Sequence, residues 1–300
     1  MSFGINLEQS YQAYLQSIEN VDVSLQLCNA LSSAGLRAEA AALLSFIEQG
    51  GQTVVTIHDG AWCGRRCFVA PRLPLHAQPG DLWLDTREVT LMLLVADSDD
   101  LAPKWRSWIS THPVYMWQFR VFLRLVNWRL TQRYFMDAPD LLQLQRFDNA
   151  DSMAFATDVY HEEAVAYAHW FGKFVCGQLQ FQAASASLDR YLLSQLVPSG
   201  MRLWQEAEFS SSEFVRVAVD QDTLFDDPDE EFESSISAQD ALTVAPARNL
   251  LFKEWERSPS IGFSTAVSMQ IGLISQLPMK AFEFVEMINV APRPLEVMID

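Results

Sequence analysis

The chain has 300 residues, of which 49% are hydrophobic, and its formal net charge is −17. This hydrophobic share includes 9 Trp and 19 Phe and excludes a disordered chain, because disordered chains lack the apolar surface that offsets the entropy lost on folding. The acidity argues against nucleic-acid binding, which needs a basic face, and suits a basic protein partner.

Residues 1–52 are predicted to form an N-terminal helical segment. Apolar residues recur at helical spacing in three stretches, which are interrupted at residues 20–22, at Gly35 and at Gly50. Asn6 and Asp22 are the candidate N-caps of the first two helices. Short amphipathic helices of this kind need a packing partner, which is each other, the main domain or another protein.

From residue 53 the hydrophobic period becomes that of β-strands and then alternates between strand and helix patterns. The predicted strands are, in chain order, 53–57, 62–69, 88–95, 108–110, 250–255 and 262–269. The predicted helices are 115–128, 162–174 and 181–196. Arg120 and Arg124 alternate with apolar residues, so the first of these helices is predicted to bury one face.

Three stretches in this region carry a recognisable order of motifs. Residues 108–122 read WISTHPVYMWQFRVF, residues 157–173 read TDVYHEEAVAYAHWFGK, and residues 201–209 read MRLWQEAEF. In this order they resemble the "PVTxxQYxxF", "VSWxDAxAYxxWxGK" and "RLPTEAEWE" motifs of the formylglycine-generating-enzyme family, also called the sulfatase-modifying-factor family. The resemblance covers roughly residues 80–275.

The resemblance implies an α+β chain with the elaborated C-type-lectin-like fold of that family. The expected organisation is the helical segment at 1–52, a formylglycine-generating-enzyme-like domain at 53–275 with an acidic insertion at about 220–240, and a C-terminal tail at 276–300. Domains of this type in bacterial signalling and defence systems are the context that the resemblance suggests.

The chain departs from the family at the residues that carry its chemistry. Active members hold copper with two cysteines late in the domain, and relatives hold iron with three histidines. Here the last cysteine is Cys176, the last histidine is His169, and Ser264 replaces the arginine of the family's terminal "GFR". The resemblance therefore implies a pseudoenzyme with no catalytic residue and no cofactor.

One set of potential metal ligands remains. His58, Cys63, Cys67 and His76 fall within 19 positions, and zinc accepts two thiolates with two imidazoles. The Cys-x3-Cys spacing differs from the common zinc knuckle, and in a straight strand the two thiols would lie about 13 Å apart, so ordinary thiols are the favoured interpretation. A metal-dependent enzyme of altered mechanism that uses these four residues is the alternative hypothesis. Elemental analysis of the purified protein for a stoichiometric metal distinguishes it from a non-catalytic protein.

A run of acidic side chains is the candidate interaction site. It consists of Asp226, Asp227, Asp229, Glu230 and Glu231. The run lacks the Asp-x-Asp-x-Asp-Gly pattern of a calcium loop, so a solvated insertion that docks on a basic protein is the favoured interpretation.

The setting expected from the sequence is cytoplasmic and away from membranes. The first residues lack the basic and apolar regions of a signal peptide, and no uninterrupted apolar window reaches about 18 residues. Four cysteines in a chain of this length do not suggest a disulfide framework. The function predicted first is thus a binding or regulatory protein. A retroelement-diversified ligand-binding protein, which shares the fold, is disfavoured because the Gly-Gly-Ser-Trp strand is missing.

Overall fold

The computed structural model describes residues 3–51, 53–74, 76–95, 105–125, 144–199, 201–205, 217–219 and 261–270. They form a mixed α/β structure. Its helices are α1 (Phe3–Gln16), α2 (Val21–Ser33), α3 (Arg37–Gln49), α4 (Met116–Leu125), α5 (His161–Trp170), α6 (Gln178–Ser187) and α7 (Arg190–Leu196). Its strands are β1 (Thr53–Thr56), β2 (Arg66–Ala70), β3 (Leu82–Asp85), β4 (Thr90–Val95), β5 (Trp105–Ser110), β6 (Phe174–Val175), β7 (Arg202–Gln205), β8 (Val217–Val219), β9 (Ile261–Phe263) and β10 (Thr265–Gln270).

The larger sheet has seven strands in the order β1-β2-β3-β4-β5-β10-β6. Its neighbours are antiparallel except for β2 and β3, which run parallel. The smaller sheet has the order β8-β7-β9 and also mixes the two directions. Because β10 pairs with β5, the region around residue 265 returns to the middle of the larger sheet.

The two faces of the larger sheet are covered differently. Side chains alternate across a strand, so Leu82 and Leu84 of β3 point to one face and Trp83 to the other. The leucines join a core that also contains residues of α1 to α7, while Trp83 packs edge-to-face on Trp108, with 5.8 Å between ring centroids, in a smaller cluster. The helices therefore pack mainly against one face.

The N-terminal helices belong to the same core as the sheet. Leu7 and Tyr11 of α1 are fully buried, and Tyr11 packs edge-to-face on Trp117 of α4 at 4.9 Å. Arg120 of α4 donates to Glu8 Oε1 at 3.0 Å, and Arg124 also pairs with Glu8. The predicted boundary at residue 52 stays a prediction, but it does not separate two cores.

Several predicted boundaries shift for local reasons. Asn6 lies inside α1, so its predicted role as N-cap is wrong, and Asn20 rather than Asp22 caps α2 by accepting from the amides of Asp22 and Val23. Helix α5 ends at Trp170, before the predicted 174, because Gly172 adopts φ +71° and turns the chain back.

Other differences concern whole elements. The helix predicted at 181–196 is two helices that meet at Leu188, which has an extended conformation. The strand predicted at 62–69 is shorter, because residues 61–64 form turns. The strand predicted at 250–255 lies outside the described residues. In the part of the chain that the structure describes, no helix combines the length and the apolar character needed to cross a bilayer.

Candidate functional site

The most unusual polar site is the turn of residues 86–89, which joins β3 to β4 inside the core. Asp85 and Glu88 have no exposed surface, and Arg87 is 9% exposed. Val89 adopts φ +57°, a left-handed conformation that costs energy in a β-branched residue. Its amide closes the turn by donating to the Asp85 carbonyl at 2.7 Å. The surrounding packing must hold this turn in place.

Lys173 approaches the turn from the end of α5. The reversal at Gly172 lets the Lys173 amide donate to the Ala168 carbonyl at 2.9 Å, which finishes the helix. The Lys173 ammonium then lies 2.8 Å from Asp85 Oδ2, forms an ion pair with Glu88, and is itself fully buried. We call Asp85, Arg87, Glu88 and Lys173 the buried charge cluster.

Hydrogen bonds from other elements complete the buried charge cluster. Arg87 donates from Nη2 to the Phe171 carbonyl at 2.9 Å, and its Nε lies 3.6 Å from Asp85 Oδ1. Thr265 of β10 donates to Glu88 Oε2 at 3.2 Å. The two acidic and two basic groups balance in charge, which is the condition under which buried ions are tolerated.

Helix α1 covers the same turn. The Tyr11 hydroxyl donates to the Arg87 carbonyl at 2.9 Å, and the Tyr14 hydroxyl donates to the Thr86 carbonyl at 2.6 Å. Gln118 of α4 donates to the Glu88 carbonyl at 3.0 Å. These contacts satisfy the backbone of a polar turn that would otherwise lose its hydrogen bonds in the core.

The electrostatics of the cluster follow from burial and from its neighbours. Burial opposes ionisation of Asp85, but the nearby Lys173 and Arg87 outweigh it and hold the pKa of Asp85 below its usual value of 3.8. Burial, reinforced by the negative charge of Glu88, raises the pKa of the Tyr11 and Tyr167 hydroxyls well above 10. Asp85 is therefore held in its ionised form, whereas the hydroxyls of Tyr11 and Tyr167 stay neutral.

Two further ion pairs tie loops to helices. Arg120 bridges Glu8 and the Ser152 hydroxyl, at 3.0 and 3.1 Å. Arg146 donates to Glu163 Oε1 at 2.7 Å, while Glu163 accepts from the Tyr160 amide at 3.0 Å. Glu163 thereby caps the start of α5 with its carboxylate.

The four candidate metal ligands lie in different surroundings. Cys67 is fully buried in β2, whereas His58, Cys63 and His76 are exposed. Cys63 donates from Sγ to the His58 carbonyl at 3.3 Å, so its thiol faces the backbone of His58. Among the described residues, no group of three or more His, Cys, Asp or Glu side chains could hold a metal ion.

The cysteines give a direct solution prediction. Only Cys63 is exposed among the four cysteines, and burial raises the pKa of Cys67 to about 12 and that of Cys28 to about 11. We therefore expect a thiol reagent to titrate one thiol per chain in the native protein and four in denaturant. Cys63→Ser should abolish the native reaction, and rapid reaction of a second thiol would contradict the structure.

The acidic candidates Asp226, Asp227, Asp229, Glu230 and Glu231 lie outside the described residues. Two features stand out on the surface of the described residues. Three apolar side chains are exposed at the corner between α1 and α2: Ile18 by 40%, Val21 by 55% and Leu25 by 36%. We call them the apolar corner.

The second feature is a cavity of about 240 Å³ beside the edge of the larger sheet. It lies between α3 and the last residues of β1, and small side chains of α3, including Ala38, Ala41 and Ala42, leave the space open. Arg37, His58 and Asp59 stand at one end of it.

Sequence patterns do not indicate the buried charge cluster. Asp-Thr-Arg-Glu between two apolar runs is typical of an exposed hairpin turn. The available signal was Lys173 near the end of the helix predicted at 162–174, but its partner Glu88 lies 85 residues away. Comparisons with protein-family models, with curated proteins and with solved structures found no match for this chain.

Proposed function

We propose that the protein is a non-catalytic binding or regulatory protein that uses a degenerate formylglycine-generating-enzyme-like domain, of the C-type-lectin-like fold, as a scaffold for a protein partner. The observation that carries the proposal is the buried charge cluster. Its lysine and carboxylates are the groups best suited to acid–base chemistry, yet they pair with each other at zero exposure of Asp85, Glu88 and Lys173.

The local structure around the first two of the three motifs supports the proposed fold. The first motif is a strand, β5, followed through His112 and Pro113 by α4, and the second is α5 followed by Gly172 and Lys173. Both residues that close the second motif have a structural role in this chain. Gly172 reverses the backbone at the end of α5, and Lys173 neutralises the acidic side chains at the turn of residues 86–89.

Two parts of the chain are suited to a partner. One is the acidic run from Asp226 to Glu231, which would attract a basic protein. The other is the apolar corner, where Ile18, Val21 and Leu25 expose aliphatic surface that a partner would remove from water. Ile18, Val21 and Leu25 form none of the ion pairs of the core, so the apolar corner can be altered without disturbing them.

The test uses point variants instead of truncations, because α1 supplies Tyr11 and Tyr14 to the core. The tagged full chain is incubated in native lysate, and captured proteins are identified by mass spectrometry. We expect a stoichiometric partner that is lost either when the five acidic residues become amides or when the apolar corner becomes serine. Exposed Arg190→Ser serves as the control for unspecific effects.

Two results would count against this function. One is the recovery of no stoichiometric partner by the full chain. The other is turnover of a substrate that survives both surface changes and depends on an added metal, which would favour the enzyme of altered mechanism.

A further inference from the structure

The edge of the larger sheet at β1 is open in the part of the chain that the structure describes. β1 pairs with β2 and stands at the end of the strand order. The Ile57 amide donates to the Arg65 carbonyl at 3.0 Å. Backbone amides and carbonyls alternate in direction along a strand, so those of Ile57, Val55 and Thr53 point towards β2. Val54 and Thr56 therefore direct their amides and carbonyls outward.

This edge lacks the devices that usually prevent association. Natural edge strands carry lysine, proline or a bulge, because an open row of amides and carbonyls pairs with other chains. β1 reads Thr-Val-Val-Thr, has no charge, and exposes half of Val54. Both valines and both threonines favour the extended conformation that pairing needs.

We infer that β1 and the adjacent face of α3 form the interface of a homodimer, with a two-fold axis through Val55. Antiparallel pairing about this axis sets Val54 opposite Thr56 of the partner subunit. Both of these residues have outward backbone groups, so each contact forms two hydrogen bonds, and the contact is repeated by symmetry.

Helix α3 presents a second self-complementary surface next to the strand. Arg37, Ala41, Ser45 and Glu48 recur at intervals of four, four and three residues, so they share one face. Arg37, Ala41 and Ser45 line the cavity beside β1. The small side chains in the middle leave room for a second helix, and the charged ends are exposed.

One axis serves both elements. Residues 50–52 link α3 to β1, so the helix runs back along the strand. Residue 43, the middle of α3, lies roughly 9 Å from the helix end at about 1.5 Å per residue. A strand rises about 3.3 Å per residue, so the same distance measured along β1 from Thr53 reaches Val55 or Thr56. A two-fold axis at Val55 thus passes near the middle of α3.

Charge complementarity then selects this antiparallel arrangement. About the axis, Arg37 of one subunit faces Glu48 of the other, and the pair occurs twice. Neither side chain has an ion-pair partner among the described residues. A parallel arrangement would instead bring like charges together, which disfavours it. The strand supplies most of the contact, and the two ion pairs specify its direction.

The test is the oligomeric state of the purified full chain, measured by sedimentation over a concentration series. We expect the wild-type protein to dimerise and Val54→Lys to shift it to monomer. Arg37→Glu and Glu48→Arg should each weaken the dimer about tenfold, and the double variant Arg37→Glu/Glu48→Arg should restore it. Circular dichroism confirms that each variant is folded.

A monomeric wild-type protein would overturn the dimer and leave the edge to an extended segment of another protein. A dimer that all the single variants leave intact would place the interface elsewhere and overturn it as well. The double variant keeps the test valid even if Val54→Lys fails to fold. Because the apolar corner and the acidic run are untouched, failure here is distinct from failure of the partner-capture experiment.

Discussion

Replacing Lys173 with methionine is expected to lower the free energy of unfolding by about 3–5 kcal/mol. Methionine retains the length of the side chain but removes the charge that faces Asp85 and Glu88, both fully buried. Two carboxylates would then remain together in the core without their cation. Urea denaturation followed by tryptophan fluorescence measures the change.

Two controls separate the loss of charge from the loss of packing. In the double variant Lys173→Met/Glu88→Gln one cation and one anion are removed together and Arg87 still faces Asp85, so we expect it to recover part of the lost stability. Arg66→Met also breaks an ion pair, with Asp81, but the Arg66 side chain is 46% exposed and should change stability much less. Equal effects of Lys173→Met and Arg66→Met would contradict a structural role for the buried charge cluster.

Replacing His169 with leucine is expected to remove a large part of the acid sensitivity of the protein. Burial lowers the pKa of the His169 imidazole from 6.5 to about 4, and neither ring nitrogen has a hydrogen-bond partner among the residues that the structure describes. The folded state therefore binds this proton more weakly than the unfolded state. Stability must fall as the pH drops from 6.5 towards 4, by up to about 3 kcal/mol, and this contribution is constant above and below that range.

The measurement compares unfolding free energies at pH 7.5 and pH 4.5. The wild-type protein should lose stability between these values, and His169→Leu should lose less by about 2–3 kcal/mol. His58→Leu changes an exposed histidine and should follow the wild-type curve. Parallel curves for the wild-type protein and His169→Leu would mean that the imidazole is solvated or paired in solution.

Local sequence patterns predicted the elements whose neighbours in the chain determine them. The three N-terminal helices, strands β1 and β4, and helix α4 appear close to their predicted positions, because their hydrophobic periods face one core. The predicted helix boundaries were wrong where the backbone conformation of a single residue ends the helix, as at Gly172 and Leu188. The C-type-lectin-like assignment rests on motif order and stays a proposal.

Contacts between distant residues decided what the sequence could not. The mixed charge of residues 85–88 is typical of a solvated turn, and only the approach of Lys173 and of α1 makes it a buried site. Conversely, Cys63 and Cys67 look alike in the sequence, but one is exposed and the other lies in the core because residues 61–64 turn before β2 begins.

The sequence by itself determined the composition, the acidity, the helical and strand periods and the absence of a histidine after His169. Only the tertiary structure decided which charged groups are buried and which edge of the larger sheet is open among the described residues. The physical reason is that periodicity reports burial relative to neighbours along the chain, whereas ion pairing and strand order depend on residues such as Glu88 and Lys173 that meet only after folding.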